Sequence, residues 1–209
     1  MAGFELRIAT SLSAASLLIC GLVSSANAQT AYTATMDARS VCIVASSRTD
    51  DLAALQTDSP NDNTLKLRLG FPIKVAEKVL VFGYPLAGAL SSGGNTTLGN
   101  VTALTGLRDD SRFLQVSASI QPGNSGGPVL DEMGRLIGVI EGKLDALKFA
   151  RRTGDVPQNV NFAIRASTLA TFLEVNGLGF EAAENSAILP STRLAELAQR
   201  ASAQIECLK

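Results

Sequence analysis

The 209-residue sequence contains no histidine and no tryptophan, and its 18 Lys and Arg residues nearly balance its 19 Asp and Glu residues. Without histidine, the chain cannot by itself supply a histidine metal ligand, an imidazole pH switch, or the imidazole of a Ser-His-Asp or Cys-His site. The near-zero net charge argues against nucleic-acid binding, which normally requires a basic stripe. We therefore expect no nucleic-acid partner, no metal and no other cofactor.

Long apolar runs are also scarce. The stretch from Ile8 to Val23 offers about 16 apolar or small residues, fewer than the ~20 of a membrane-spanning helix. It follows Arg7 and precedes Ala26-Asn27-Ala28, a small-x-small sequence of the kind that signal peptidases recognise. The sequence thus predicts a secretory leader over residues 1–28, cleaved after Ala28. It predicts a periplasmic or secreted protein with no stable membrane anchor after cleavage.

Only three cysteines are present. Cys20 would be removed with the leader, which leaves Cys42 and Cys207 in an oxidising compartment where a disulfide is allowed. The sequence leaves open whether these two residues pair. It also leaves the oligomeric state open.

The remaining composition, 46% hydrophobic and 18% charged with 18 glycines, is typical of a folded chain that is mainly β. Short apolar runs bounded by turn residues predict strands. Ser167 is predicted to cap a helix that ends before Gly177, and a second amphipathic segment follows Pro190. That segment could equally end in a strand at 203–207. The predicted strands cover residues 41–46, 51–56, 79–82, 100–107, 113–118, 128–130, 135–140 and 159–164, with a turn at 131–134.

One segment carries candidate chemistry. Residues 123–128 read Gly-Asn-Ser-Gly-Gly-Pro, which places Ser125 among glycines at a predicted strand end. Glycines allow backbone angles that bring several amide groups toward one point. A serine hydroxyl beside converging amides provides a nucleophile and an oxyanion hole for acyl transfer. On its own, the segment is also compatible with an ordinary glycine-rich turn.

The order of further segments resembles the trypsin-like serine peptidases of the chymotrypsin fold, in particular their exported bacterial branch. Residues 51–55 (Asp-Leu-Ala-Ala-Leu) resemble the segment that bears the triad aspartate, and residues 79–85 resemble the strand that opens the second barrel. Residues 123–128 match the nucleophile segment, and 134–140 and 159–164 resemble the strands that follow. The resemblance implies a double β-barrel with an incomplete first barrel, a complete second barrel and C-terminal helices.

The resemblance also implies roles for individual residues. Ser125 corresponds to the nucleophile and Asp51 to the aspartate that orients the imidazole; Asp50 fits that position less well. The N–H groups of Gly123 and Ser125, with Asn124 between them, correspond to the oxyanion hole. Ser119 corresponds to the base of the specificity pocket, where a small neutral side chain does not favour a basic substrate residue. The strand that would pair with substrate backbone contains Ile140, Glu141, Gly142 and Lys143.

The catalytic histidine of the family is missing. Only 22 residues separate the predicted cleavage site from Asp51, and none is histidine. Lys143 and Lys148 are the nearest lysines for a Ser-Lys mechanism, a role that fits them poorly. We therefore expect an exported serine endopeptidase relative that is truncated, hydrolytically defective by itself, and acts on polypeptide. The alternatives are a non-catalytic peptide-binding module or a non-functional fragment.

The same resemblance divides the chain into four parts. Residues 1–28 are the leader, 29–72 a remnant of the first barrel, 73–180 the second barrel with its helix, and 181–209 a C-terminal extension.

Overall fold

The computed structural model describes residues 6–12, 15–20, 32–34, 39–57, 63–85, 93–143 and 160–206. Within these residues the fold is mainly β, with two α-helices near the C-terminal end. The strands are β1 Leu6–Leu12, β2 Ala15–Cys20, β3 Tyr32–Ala34, β4 Arg39–Ser47, β5 Leu52–Thr57, β6 Lys78–Gly83, β7 Asn95–Ala103, β8 Phe113–Val116, β9 Pro128–Asp131, β10 Leu136–Lys143, β11 Asn161–Arg165 and β12 Ile205–Glu206. The helices are α1 Ala166–Val175 and α2 Ser191–Arg200.

Strands β6 to β11 form a closed antiparallel barrel in the order β10-β11-β8-β7-β6-β9. Strand β6 is buried on both faces, and this explains why its sequence is continuously apolar. Val79 and Val81 fill the barrel interior, whereas Leu80 and Phe82 pack on the outside. The closed barrel confirms the complete second barrel that the sequence predicts.

The other strands form an open six-stranded sheet in the order β1-β2-β5-β4-β3-β12. This open sheet agrees with the prediction of an incomplete first barrel. The segment predicted as a leader contributes β1 and β2, and β2 pairs with β5 from Ser16–Thr57 to Cys20–Ala53. The predicted cleavage site at Ala26–Ala28 lies outside the described residues.

The helices cover the outside of the barrel. In α1, Leu169, Phe172 and Leu173 are buried, as their spacing predicts, and Gly177 lies just beyond the helix end. The prediction for Ser167 is wrong: α1 begins at Ala166, so this serine lies inside the first turn and Arg165 occupies the capping position without a side-chain hydrogen bond.

Two strand boundaries also differ from the prediction. Strand β7 ends at Ala103, because Leu107–Asp109 forms a short 3-10 turn in which Arg108 has a φ of 58°. It begins at Asn95, within a stretch predicted as loop. The predicted turn at 131–134 is confirmed, since the Gly134 N–H donates to the Asp131 carbonyl at 3.0 Å.

No helix in the described part of the chain is long and apolar enough to cross a membrane. Nor do the described residues bring together three or more side chains able to hold a metal ion.

Candidate active site

Ser125 lies in a tight turn between Ile120 and strand β9. The Asn124 N–H donates to the Gln121 carbonyl at 3.0 Å, and the Gly127 N–H donates to the Asn124 carbonyl at 2.9 Å. The Ser125 side chain is half-buried. Among the described residues, neither its hydroxyl nor its N–H makes a hydrogen bond. The turn thus uses the polar groups around Ser125 and leaves those of Ser125 available.

Two glycines give this turn its shape. Gly123 has a φ of 101° and Gly126 a φ of 78°, both in the left-handed region that strains other residues. The Gly123 carbonyl accepts a hydrogen bond from the Tyr84 N–H at 3.2 Å, which ties the turn to the end of β6. The sequence pattern around Ser125 therefore reflects a real conformational requirement.

Asn124 points into the protein. The residue is only 1% exposed, and its Oδ1 accepts a hydrogen bond from the Gln121 N–H at 3.1 Å. The Asn124 N–H is used within the turn, so it is not available as an oxyanion donor. The buried Asn124 side chain thus stabilises the turn from the protein interior.

Asp51 ends the turn between β4 and β5 and has a φ of 52°, unusual for a residue other than glycine. Its neighbour Asp50 is held from both sides. The Ser47 hydroxyl donates to Asp50 Oδ2 at 2.7 Å, and Arg112 Nη1 lies 3.1 Å from Asp50 Oδ1. Asp50 therefore stabilises the turn itself. The negative charge of Asp51 acts on Glu141 of strand β10.

Arg112 joins this turn to the barrel. Its Nη1 donates to the Thr49 carbonyl at 2.6 Å, and its Nη2 lies 2.7 Å from Asp110 Oδ2. Its own carbonyl accepts the Arg165 N–H at 2.9 Å. Sequence reasoning missed Arg112, because its partners at Thr49 and Asp50 are about sixty residues away and share no pattern with it.

Strand β10 runs beside the Ser125 turn. The Gly126 N–H donates to the Ile140 carbonyl at 2.6 Å, and the Ile140 N–H donates to the Gly127 carbonyl at 2.9 Å. Ile140 is fully buried in the barrel, so neither its side chain nor these backbone groups face a substrate. Of the four residues predicted to pair with substrate backbone, Glu141, Gly142 and Lys143 therefore remain candidates.

Glu141, the next residue, is half-buried. Burial and the negative charge of Asp51 raise the pKa of the Glu141 carboxyl; the positive charge of Arg112 opposes this shift and Asp110 adds to it. The structure thus brings Glu141 and Asp51 into one electrostatic neighbourhood. No signal in the sequence pairs them.

The remaining predicted site residues are Ser119, Gly142 and Lys143. Ser119 is exposed in the segment after β8, between buried Ala118 and Ile120. The backbones of Gly142 and Lys143 pair with β11 at Phe162 and Asn161, and the Lys143 side chain lies outside the described residues. The same holds for Lys148, for Cys207 and for the Cys42 side chain, and therefore for the disulfide prediction.

Comparisons with known proteins identify relatives of this chain. The family model described as a trypsin-like peptidase domain matches residues 9–139, so the match begins inside the segment predicted as a leader. An uncharacterised protein, y4bJ, of Sinorhizobium fredii is 49% identical over 165 residues, which cover 79% of this chain and 26% of that protein. An HtrA-like serine protease of Staphylococcus epidermidis is 32% identical over 114 residues, covering 49% of this chain and 20% of the protease. The chain thus spans about a fifth to a quarter of the length of these curated relatives.

Solved structures agree on the fold. A serine endoprotease from Yersinia pestis matches with a TM-score of 0.60 at 21% identity, over 84% of this chain and 63% of that one, which bears on the fold alone. The HtrA-type protease AlgW with a decapeptide matches with a TM-score of 0.59 at 27% identity, over 81% of this chain and 50% of that one. With the family model covering more than half of its residues, the chain belongs to the trypsin-like serine peptidases.

Proposed function

We propose that Ser125 is the nucleophile of this chain and that the chemistry of its site is acyl transfer from polypeptides. The observation that carries the proposal is the turn at 123–127, in which the Ser125 hydroxyl and N–H have no hydrogen-bond partner within the described residues. A hydroxyl and a neighbouring N–H that are not used within the fold are available to attack a carbonyl and to stabilise the resulting oxyanion. The N–H groups of Gly123 and Ser125 are the proposed donors, on either side of Asn124.

Asp51 is the proposed orienting carboxylate, but the 209 residues contain no imidazole for it to orient. Serine peptidases that lose one triad member keep only roughly 10³–10⁴-fold acceleration over the reaction in water. We therefore propose that this chain, acting alone, hydrolyses peptide bonds far more slowly than its relatives.

The edge of β10 is the proposed contact with the polypeptide. Strand β9 pairs with β10 only as far as Val139, so within the described residues no strand pairs with the outer edge of residues 141–143. An extended peptide could add to this edge through backbone hydrogen bonds. The HtrA-type protease AlgW has been solved with a decapeptide, so a peptide ligand occurs in a protein of similar fold. Ser119, small and neutral, is the proposed reason for little preference for basic side chains.

Export remains part of the proposal. Arg7, the apolar stretch from Ile8 to Val23 and the sequence Ala26-Asn27-Ala28 support a leader of residues 1–28. Cleavage after Ala28 would remove β1 and β2 from the open sheet and would expose the edge of β5. Exposed strand edges favour pairing with another chain.

A second candidate is a peptide-binding module without catalysis, which the absence of histidine favours. The test compares the full chain with Ser125→Ala, using fluorescein-labelled unfolded casein as substrate and ligand. We expect both proteins to bind the casein and the wild-type chain to cleave it slowly, with none of this cleavage by Ser125→Ala. Binding by both proteins with no cleavage above that of the variant would favour the second candidate. Cleavage by the wild-type chain at an ordinary enzymatic rate of about 1 s⁻¹ or more would contradict the proposed defect. An aggregated chain that retains no casein would contradict both candidates and favour a non-functional fragment.

A further inference from the structure

Glu141 is the residue of β10 that follows the backbone hydrogen bonds between this strand and the Ser125 turn. The two hydrogen bonds between Ile140 and the turn, Gly126 N–H to the Ile140 carbonyl and Ile140 N–H to the Gly127 carbonyl, are 2.6 and 2.9 Å long. They fix the backbone of β10 against the two residues that follow Ser125. The first residue beyond these two hydrogen bonds is Glu141, so its backbone lies beside the Ser125 turn.

A β-bulge sets the direction of this side chain. The pairing of β10 with β11 passes from Ile140–Ala163 to Gly142–Phe162, which leaves Glu141 as the extra residue. Bulges bend a strand and redirect a side chain, and they are frequent next to active sites. Ile140 fills the barrel interior, whereas the half-buried Glu141 lies outside it.

Asp51 approaches from the other β unit. Arg112 Nη1 holds the Thr49 carbonyl at 2.6 Å and Asp50 Oδ1 at 3.1 Å, so the turn that ends in Asp51 is fixed against the barrel. The charges that act on the Glu141 carboxyl are those of Asp51, beside β5, and of Asp110 and Arg112, before β8. Burial of Glu141 and, after it, the negative charge of Asp51 raise the pKa of this carboxyl above that of an exposed one.

We propose that Glu141, at the bulge of β10 beside the Ser125 turn, is the general base for Ser125 in this histidine-free chain. The proposal rests on Ser125 being the nucleophile. No hydrogen bond joins Ser125 to Glu141 among the described residues. Catalytic hydrogen bonds are often long without substrate and shorten when it binds.

The reaction with a fluorophosphonate probe shows the balance of the step. The Ser125 oxygen forms a bond to phosphorus, the phosphorus–fluorine bond breaks, and fluoride leaves with the electron pair. The serine proton passes to the Glu141 carboxylate and then to water. A carboxylate is a weaker base than imidazole, so this route suits a reactive probe and fits slow hydrolysis of peptides.

The experiment measures the rate of labelling of the full chain by a fluorescent fluorophosphonate, from acidic to neutral pH. We expect labelling of the wild-type chain, none of Ser125→Ala, and labelling of Glu141→Gln slower by roughly tenfold or more. The difference between wild type and Glu141→Gln should grow as the pH rises through the pKa of Glu141 and then level off. Asp51→Asn should shift this rise to lower pH, because it removes the charge that raises the pKa of Glu141.

Two further variants separate catalysis from folding. Glu174→Gln removes an exposed carboxylate on α1 and should label like the wild type. Glu141→Asp keeps a carboxylate on a shorter side chain and should label faster than Glu141→Gln, although both disturb the same packing. Circular dichroism checks that each variant is folded.

The outcomes distinguish this proposal from the proposed function. Equal labelling of Glu141→Gln and wild type would overturn the role of Glu141 and leave Ser125 as the nucleophile. A folded wild-type chain that does not label at any pH would overturn the role of Glu141 and count against Ser125 as the nucleophile, and would leave the proposed hydrolytic defect intact. Labelling of Ser125→Ala at the wild-type rate would overturn both roles.

Discussion

Asp131 at the end of β9 organises a buried cluster of charges. Its Oδ1 accepts the N–H groups of Met133 and Arg135, and its Oδ2 lies 2.7 Å from Arg135 Nε and 3.2 Å from Arg68 Nη1. Arg68 reaches Glu77 as well, with Nη1 2.5 Å from Oε2. The charges of two arginines and two carboxylates thus balance one another. The cluster lies where the segment that precedes the barrel crosses the turn between β9 and β10. Charges this buried are tolerated only in such a paired arrangement.

Glu77 makes this cluster sensitive to acid. Burial alone would raise its pKa, but the hydrogen bonds from Arg68 and the Lys74 N–H together with the arginine charges hold the pKa of Glu77 below its ordinary 4.5. A lowered pKa in the folded state stabilises the protein above the ordinary pKa, and this contribution disappears as the pH falls through the folded-state value. We expect Glu77→Gln to lower the free energy of unfolding by roughly 1–3 kcal/mol at neutral pH. The difference from wild type should shrink in acid.

Urea unfolding of both proteins at several pH values measures this difference. The exposed Glu174→Gln on α1 serves as the control and should change little at any pH. A Glu77→Gln difference that stays constant from neutral pH into strong acid would show that the carboxylate charge is not the cause.

At the scale of elements, the barrel closes because certain strands approach one another very closely. Gly138 in β10 faces β11, and a Cβ atom placed on it would lie 2.6 Å from the Ile164 carbonyl oxygen and 3.3 Å from the Ala163 Cβ. The close neighbour is backbone of a paired strand, which cannot move aside alone. The absence of a side chain at Gly138 therefore sets the spacing of β10 and β11, and β10 is the strand that also carries Ile140 and Glu141.

We expect Gly138→Ala to destabilise the chain by roughly 1–3 kcal/mol, because the added methyl group overpacks a closed barrel. The measurement is the midpoint of urea unfolding. Thr102→Ala changes an exposed side chain of β7 in the same barrel and should shift the midpoint little. Equal stability of Gly138→Ala and wild type would mean that β10 and β11 separate without cost.

The short apolar segments show how far the sequence predicts these elements. Strand β6, the turn at 131–134 and the buried face of α1 follow from local patterns and are found where expected. The start of α1 and the end of β7 differ, because barrel contacts decide them. Arg165 belongs to β11, pairing with Gly138, and the helix follows this strand directly at Ala166, earlier than a cap at Ser167 would place it.

At the scale of the whole molecule, Arg112 links the open sheet to the closed barrel. It is bonded to Thr49 and Asp50 in the β4–β5 turn and to Asp110 in its own loop. These bonds raise the pKa of the Arg112 guanidinium further, so it remains charged at every ordinary pH. The position of Asp51 relative to Glu141 thus depends on a contact between the two β units.

Arg112→Ala should release the β4–β5 turn while leaving the barrel folded. We expect faster hydrogen exchange at the amides of residues 48–52 and unchanged exchange in β9 and β11, measured by mass spectrometry. Because most exposed ion pairs contribute only about 0–1 kcal/mol, global stability should change little. Arg108→Ala, which removes an exposed arginine from the same loop, should leave exchange at residues 48–52 as in wild type. Unchanged exchange in Arg112→Ala would show that other contacts hold the turn.

The sequence by itself determined the features that are contiguous in the chain. The Ser125 turn, the strand pattern and the absence of any histidine can all be read from neighbouring residues or from composition. The tertiary structure alone decided the neighbours of Glu141, the clamp of Arg112 and the charge cluster around Asp131, since each joins residues separated by dozens of positions. Those contacts depend on which strand edges meet when the barrel closes, and local patterns of hydrophobicity carry no record of that choice.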